Sequence, residues 1–308
     1  MAETMRQFLG ALERRDPKRL PLAPDCRATQ NELPIAIGKG IWETATKVDD
    51  YQLIFEDKTY EKSLDTLNVG FVGLIWRGKD VSLCSIRLKV VADQIAEIDL
   101  IQGDDYFPGS TASDPRDTCK VFRDNFAKRL PSPMFSRDRL VRIALLYYES
   151  IGSDDPCYVP FADSFKRIEN GTLSIANPDF HQEEWYDHAE GKEIPNFAAM
   201  GAKEQHDCKI WSADLVTDKR VHVVDVERGL VWVHSIYRPW YRKDSVEIEG
   251  LGVLTPKKKM LGAGVATMTE LIKIGPNGEL EDMESAWAFM PKGTATIWAT
   301  LNIVLYSR

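Results

Sequence analysis

The chain has 308 residues, of which 44% are hydrophobic and 28% are charged, and its net charge is −8. This composition is typical of a soluble globular protein, and the negative charge argues against binding to nucleic acid or to an anionic membrane. The sequence lacks an apolar run of membrane-spanning length and an N-terminal signal core, so we expect a cytoplasmic protein.

The first part of the chain predicts one helix followed by antiparallel strands. Met5, Phe8, Leu9 and Leu12 recur at helical spacing within residues 3–15. Apolar alternation or short apolar runs then predict strands at 41–57, 69–76, 81–91 and 95–101.

The second part of the chain repeats this order. Residues 137–150 predict an amphipathic helix with Ser136 as its N-cap. Strands are predicted at 209–216, 219–227, 229–238, 263–274 and 279–288, and a last apolar alternation at 296–306 could add another. Inserts near 174–208 and 240–262 are rich in aromatic or basic residues, which makes them candidate lids over a pocket.

Several short segments occur twice in the same order, which predicts an internal duplication. The matched pairs are Ile41-Trp42 with Ile210-Trp211, Ile75-Trp76-Arg77 with Ile236-Tyr237-Arg238, and Leu88-Lys89-Val90 with Ile272-Lys273-Ile274. We therefore expect a first domain at 1–103, a linker at 104–136 and a second domain at 137–308. Coincidence between two ordinary antiparallel sheets is the alternative.

The segment Arg167-Ile168-Glu169-Asn170-Gly171, with Ile210-Trp211 and residues 229–238, resembles the SnoaL-like branch of the nuclear transport factor 2-like superfamily. The resemblance implies an α+β protein of two tandem cone-shaped domains, each a curved antiparallel sheet with N-terminal helices. The superfamily includes ketosteroid isomerase, scytalone dehydratase, polyketide cyclases and non-catalytic binding domains, so the fold does not define the function. The first copy departs from the Arg-x-Glu-Asn-Gly pattern, which puts its pocket in doubt.

Candidate catalytic residues are proton-transfer groups of the second copy. They are His234, Asp163, His222, Tyr158 and Tyr237. Histidines titrate near neutral pH, a carboxylate against an apolar wall has a raised pKa, and a tyrosine hydroxyl can polarise a carbonyl. The histidines could instead be outward-facing or neutral interior groups, and Asp163 could form a structural ion pair.

Candidate substrate-binding residues add aromatic surface and polar groups around the pocket. They are Arg167, Trp211, Trp185, Tyr186 and His181. The five cysteines form no short-spaced pair, and no phosphate-binding loop, dinucleotide fingerprint or nucleophile elbow is present, so we expect neither a metal nor an organic cofactor.

These features predict a cofactor-independent lyase or isomerase that acts by acid–base proton transfer on a hydrophobic, aromatic or polyketide-like small molecule, with a homodimer as a possible assembly. A non-catalytic small-molecule-binding or interaction protein on the same fold is the alternative. A metal-dependent enzyme using the inserted histidines is a third hypothesis.

Overall fold

The protein is an α+β structure dominated by two six-stranded mixed sheets, with few helices. The computed structural model describes residues 1–58, 66–103, 124–132, 134–153, 158–257 and 264–290. None of the helices in these ranges has the length and apolar character needed to cross a membrane. The strand predicted at 296–306 lies outside the described residues.

The first sheet is built from the N-terminal part of the chain. Helix α1 (Ala2–Arg14) buries Met5, Phe8 and Leu12 against the sheet, as the helical spacing predicted. Residues 41–57 were predicted as one strand, but the first of them form a short helix, α2 (Ile41–Thr44). The strands are β1 (Leu22–Gln30), β2 (Leu33–Pro34), β3 (Lys47–Glu56), β4 (Thr66–Arg77), β5 (Asp80–Val91) and β6 (Gln94–Gln102).

The second sheet follows helix α3 (Arg137–Ser150), whose N-terminus is capped by the Ser136 hydroxyl accepting the Arg139 N–H. Its strands are β7 (Phe161–Glu169), β8 (Thr172–Leu173), β10 (Leu215–Asp225), β11 (Leu230–Arg238), β14 (Val265–Ile274) and β15 (Leu280–Met290). The strand predicted at 209–216 is wrong over most of its length, because β10 begins only at Leu215 and the preceding residues form a turn.

The two predicted inserts meet in a third, three-stranded sheet. Helix α4 (Ala202–Asp207) and strand β9 (Tyr186–His188) belong to the first insert. Strands β12 (Val246–Ile248) and β13 (Gly252–Pro256) belong to the second, and the strand order is β12-β13-β9. The two inserts therefore form one small unit with its own apolar cluster.

Both large sheets have the same strand order. The first reads β2-β1-β6-β5-β4-β3 and the second reads β8-β7-β15-β14-β11-β10. In each, the first long strand pairs in parallel with the last, β1 with β6 and β7 with β15, while the other pairs are antiparallel.

The same asparagine turn follows the first long strand of each sheet. The backbone N–H groups of Asn31 and Asn170 donate to the carbonyls of Leu100 and Ser285, each at 2.8 Å. Both residues have positive φ, a conformation that asparagine tolerates better than most residues. The turns therefore mark Leu100 and Ser285 as equivalent positions.

The two sheets pack face to face within the chain. Tyr51, Phe55, Val72, Trp232 and Leu271, from both sheets, belong to one buried cluster. The Tyr51 hydroxyl donates to Glu284 at 2.7 Å, and the Ser85 and Thr269 hydroxyls meet at 2.5 Å. Phe126, within the segment predicted as a linker, is buried in the same cluster. Each sheet thus has one face toward its helix and one toward the other sheet.

Candidate active site

A cavity of about 110 Å³ lies between helix α3, the helix-facing side of the second sheet and the unit formed by the two inserts. Aromatic side chains dominate its wall: Trp185, Tyr186, Trp211, Tyr237, Trp240 and Trp287. A dry cavity of about 150 Å³ accepts benzene. The volume therefore fits a molecule of about one ring.

Glu270 is the central polar group of the cavity wall. It lies in the middle of β14 and is 2% exposed. Burial raises the pKa of this carboxyl to about 7, and the nearby Glu169 raises it while Tyr148, Arg167 and Ser235 lower it. A carboxyl with that pKa is populated in both protonation states at neutral pH.

The hydroxyls of Tyr148 and Ser235 flank the Glu270 carboxyl. Both lie close enough to lower its pKa, but neither meets it with good hydrogen-bond geometry. Within the described ranges, Glu270 Oε2 and both hydroxyls have no hydrogen-bond partner. Since buried polar groups are nearly always paired, three unpaired groups at one cavity wall indicate a place where a ligand supplies the partners.

One row of side chains across the second sheet, which includes the cavity residue Glu270, is smaller and more polar than its counterpart in the first. In the first sheet, the row joins Phe71, Ile86 and Leu100. In the second, the equivalent row joins Val233, Glu270 and Ser285. The first row is packed solid under α1, with each residue at most 3% exposed.

A second carboxyl, Asp214, lies in the turn before β10. Its Oδ2 accepts the Tyr237 hydroxyl, and its Oδ1 accepts the Trp240 N–H at 2.8 Å. Burial raises the pKa of Asp214 to about 7, although these two hydrogen bonds lower it. The cavity therefore contains two carboxyl groups that titrate near neutral pH.

Arg167 is a buried cation held entirely by protein groups. Its guanidinium donates to Ser174 at 2.8 Å and to Gln205 at 2.8 Å, and pairs with Glu169 at 3.1 Å. It also lies 4.9 Å from the Trp211 ring centroid, within cation–π range. These contacts make it a fixed wall group.

The two histidines on β10 and β11 lie on the opposite face of the second sheet. His234 is fully buried, with Nδ1 3.2 Å from Asp99 and Nε2 2.7 Å from Glu32, both in the first part of the chain. Burial lowers the pKa of His234, but the carboxylates of Glu32 and Asp99 raise it by a larger amount, so the net shift is upward. Burial lowers the pKa of His222 well below its ordinary value, and Arg87 and Arg220 add to that.

Of the ten residues predicted for the site, the structure brings five to the cavity wall. These are Tyr237, Arg167, Trp211, Trp185 and Tyr186. His234 and His222 do not line this cavity, because both lie between the two sheets. Asp163, Tyr158 and His181 are exposed and do not line the cavity; the Tyr158 side chain is 81% exposed.

The strand pairing corrects the register of one matched pair in the repeat by one residue. The match of Ile75-Trp76-Arg77 to Ile236-Tyr237-Arg238 sets Gly73 against His234. The strand pairing that equates Ile86 with Glu270 instead sets Val72 against His234. A shift of one residue moves a strand position to the other face of the sheet.

The sequence did contain a signal for Glu270. Glu270 alternates with Met268, Ile272 and Ile274 on an otherwise apolar face of the strand, and these three neighbours are buried. A carboxylate on the inward side of such a strand is rare without a role. Asp214 had no comparable signal, because its position is set by a turn.

Comparisons with known proteins give little functional information. Residues 135–281 match the model of a family described as a domain of unknown function (DUF8021). A solved chain described as "Rd1NTF2_05 with long sheet" is 14% identical, and the match covers 31% of this chain and 94% of that chain with a TM-score of 0.23. A TM-score this low does not indicate a shared fold. No curated protein matches this chain significantly.

Proposed function

We propose that the cavity of the second sheet is an acid–base site for a small, largely apolar molecule, with Glu270 as the group that transfers the proton. The observation that carries the proposal is a buried carboxyl with a pKa of about 7 at the wall of an aromatic cavity. A catalytic acid or base works best when its pKa lies near the operating pH. The reaction class is that of a cofactor-independent lyase or isomerase.

The neighbouring groups have complementary roles in this proposal. The pKa of Tyr148 is well above its ordinary value, chiefly because of burial, so its hydroxyl stays protonated at neutral pH. It can donate a hydrogen bond to an oxygen that gains negative charge during proton transfer. The Asp214–Tyr237 pair provides a second proton-transfer group. The wall formed by the two inserts helps to exclude water.

We also propose that the chain holds two tandem SnoaL-like units and that only the second retains a working pocket. The identical strand order and the paired asparagine turns support the duplication. The filled helix-facing side of the first sheet supports the loss of a pocket there.

The alternative is a non-catalytic ligand-binding protein on the same fold. The internal pairing of Arg167 favours it, because Ser174, Gln205 and Glu169 already hold that guanidinium in place. Both functions place the ligand in the same cavity and differ in whether Glu270 exchanges a proton with it.

Deuterium exchange into small cyclic ketones tests the proposal. Cyclohexanone and cyclohex-2-enone are incubated with the protein in deuterated buffer, and label at the carbon next to the carbonyl is followed by NMR. We expect exchange above the buffer rate and a loss of about 100-fold or more in Glu270→Gln, the usual contribution of a general base. The exposed carboxyl variant Glu247→Gln is the matched control and should exchange like the parent protein.

Each other outcome has a defined meaning. Exchange that survives unchanged in Glu270→Gln would refute the role of this carboxyl. Binding of the ketones in the cavity without exchange would favour the alternative function. Absence of both binding and exchange would contradict a one-ring carbonyl substrate.

A further inference from the structure

Three donor groups meet between the two large sheets, away from the cavity. Asp99 belongs to β6 of the first sheet, while His222 and His234 belong to β10 and β11 of the second. One ligand atom from each lies within 4.8 Å of the others. Two imidazoles and one carboxylate are a donor set that transition metals use in proteins.

We propose that Asp99, His222 and His234 bind one divalent transition-metal ion of the zinc class, which links the two sheets. The proposal is independent of the function assigned to the cavity. Two imidazole nitrogens favour zinc, cobalt or nickel over magnesium and calcium, which prefer oxygen ligands.

The donor separations are close to those required. Metal–ligand distances of about 2.0–2.1 Å in a tetrahedral site place neighbouring donors about 3.3 Å apart. Asp99 Oδ2 lies 3.2 Å from His234 Nδ1 and 4.0 Å from His222 Nε2. The His222 donor atom therefore has to move closer to Asp99 to complete the geometry.

The outer atoms of two of these ligands are already held by other groups. His234 Nε2 lies 2.7 Å from Glu32 Oε1 and 2.8 Å from the Thr267 hydroxyl. The Thr29 hydroxyl donates to Asp99 Oδ1 at 2.7 Å. Metal-binding histidines commonly donate their second ring N–H to a carboxylate, which fixes the ring and its tautomer. His234 Nδ1 and Asp99 Oδ2 are hydrogen-bonded to each other at 3.2 Å, and a bound ion would replace that bond.

His222 provides the second, independent observation. Among the described residues its Nε2 has no hydrogen-bond partner, although the atom is buried and lies toward Asp99. The ring is held by packing against Trp232 and His234, each with centroids 5.7 Å away. A buried, unpaired nitrogen is costly, and coordination would remove that cost.

The surrounding charges limit which ions can bind. Arg220 pairs with Glu32, and Arg87 pairs with Glu97 at 2.8 Å while lying 3.9 Å from Asp99. Arg27 and Lys89 also pair with Glu97 at the outer side of the network. The positive charge of Arg87 near Asp99 disfavours the binding of a cation that forms only weak bonds to the site. The site therefore requires an ion that forms strong bonds to imidazole.

Metal titration of the full chain, without a histidine tag and after treatment with a chelator, tests the proposal. Zinc or cobalt(II) is added and bound metal is counted by elemental analysis after gel filtration. We expect one ion per chain and visible absorption from four-coordinate cobalt. At free zinc 100 times the Kd, the unfolding equilibrium constant should fall about 100-fold.

The key variant is His222→Phe, which keeps a ring against Trp232 but removes the unpaired nitrogen. Without metal it should be as stable as the parent protein, and with zinc it should show neither uptake nor stabilisation. His181→Gln, which alters an exposed histidine, should behave like the parent. His222→Gln is the second variant if the phenylalanine form fails to fold.

Two results would overturn the proposal. One is a parent protein that takes up no stoichiometric zinc or cobalt. The other is a His222 variant that folds and retains full uptake.

Discussion

The helix-facing sides of the two large sheets have the same backbone pairing but carry different side chains under the helix. Under α1, Phe71, Ile86 and Leu100 belong to a buried apolar cluster. Under α3, Val233, Glu270 and Ser285 occupy the equivalent row, and a cavity opens beside them. Hydrogen-bonded strand order does not determine whether such a fold has a pocket. The cavity of the second sheet also depends on its side chains, among them Glu270, and on the two inserts that form part of its wall.

The largest expected effect comes from placing the pocket carboxyl in the filled interior. Ile86→Glu should lower the free energy of unfolding by about 4 kcal/mol or more at pH 8, because the charged group has no partner in a packed apolar core. The loss should be smaller at pH 4.5, where the carboxyl is largely protonated. Urea denaturation at both pH values measures this.

The uncharged variant Ile86→Gln is the control for that experiment. It should be less destabilising than Ile86→Glu at pH 8, and its cost should not depend on pH. A loss below about 1 kcal/mol for Ile86→Glu would mean that the first sheet also tolerates a polar group, and the contrast between the two interiors would fail.

An intermediate effect is expected from removing the ionisable group of the cavity. Folding raises the pKa of Glu270 from 4.5 to about 7, so the native state holds a proton that the unfolded state releases between these values. The stability contributed by that proton is full below pH 4.5 and is lost as the pH rises to 7. Glu270→Gln should therefore be more stable than the parent at pH 8, by about 3 kcal/mol.

Urea denaturation at pH 4.5, 6 and 8 measures this difference. The slope of stability against pH should be shallower in Glu270→Gln and should keep the part that Asp214 contributes, since the pKa of that carboxyl is also raised to about 7. Parallel pH profiles for parent and variant would show that Glu270 is not proton-linked to folding.

The smallest effect is expected from replacing the turn asparagine of either sheet. The Oδ1 atoms of Asn31 and Asn170 accept the N–H groups of Gln102 and Trp287, each at 2.9 Å. Alanine at either position should cost about 1–2 kcal/mol, since it loses a hydrogen bond and disfavours positive φ. Asn170→Ala should cost more, because its Nδ2 also donates to the Trp287 carbonyl. Thermal denaturation of both variants checks this order.

Much of the fold could be predicted because its signals are local. The helical spacing of Met5, Phe8 and Leu12 predicted α1, and the Ser136 cap marked the start of α3. The turn before β10 could not be predicted in the same way. Ile210 and Trp211 fit a strand pattern by composition, while the burial of Ile210 and the partial burial of Trp211 depend on the insert cluster and cavity that form around them.

The site was harder to predict because a pocket depends on which face of a strand a residue occupies. Ser235 and Tyr237 face the cavity, whereas His234, directly before Ser235, faces the first sheet. Val231 and Val233 are buried on one face of β11 and Leu230 and Trp232 on the other, so hydrophobicity does not distinguish the faces of this strand. Glu270 lies on the same face of β14 as Met268 and Ile272, and this position is the feature that would have corrected the choice of site residues.

The packing of the two sheets within one chain also affects how the protein responds to dilution. Where such faces come from separate subunits, their association depends on protein concentration. Here Phe55 and Trp232 meet edge to face, 5.5 Å apart, and both belong to the same polypeptide. Their encounter is unimolecular, with an effective concentration that the tether sets. The sheet-to-sheet contact therefore persists at any dilution at which the chain itself stays folded.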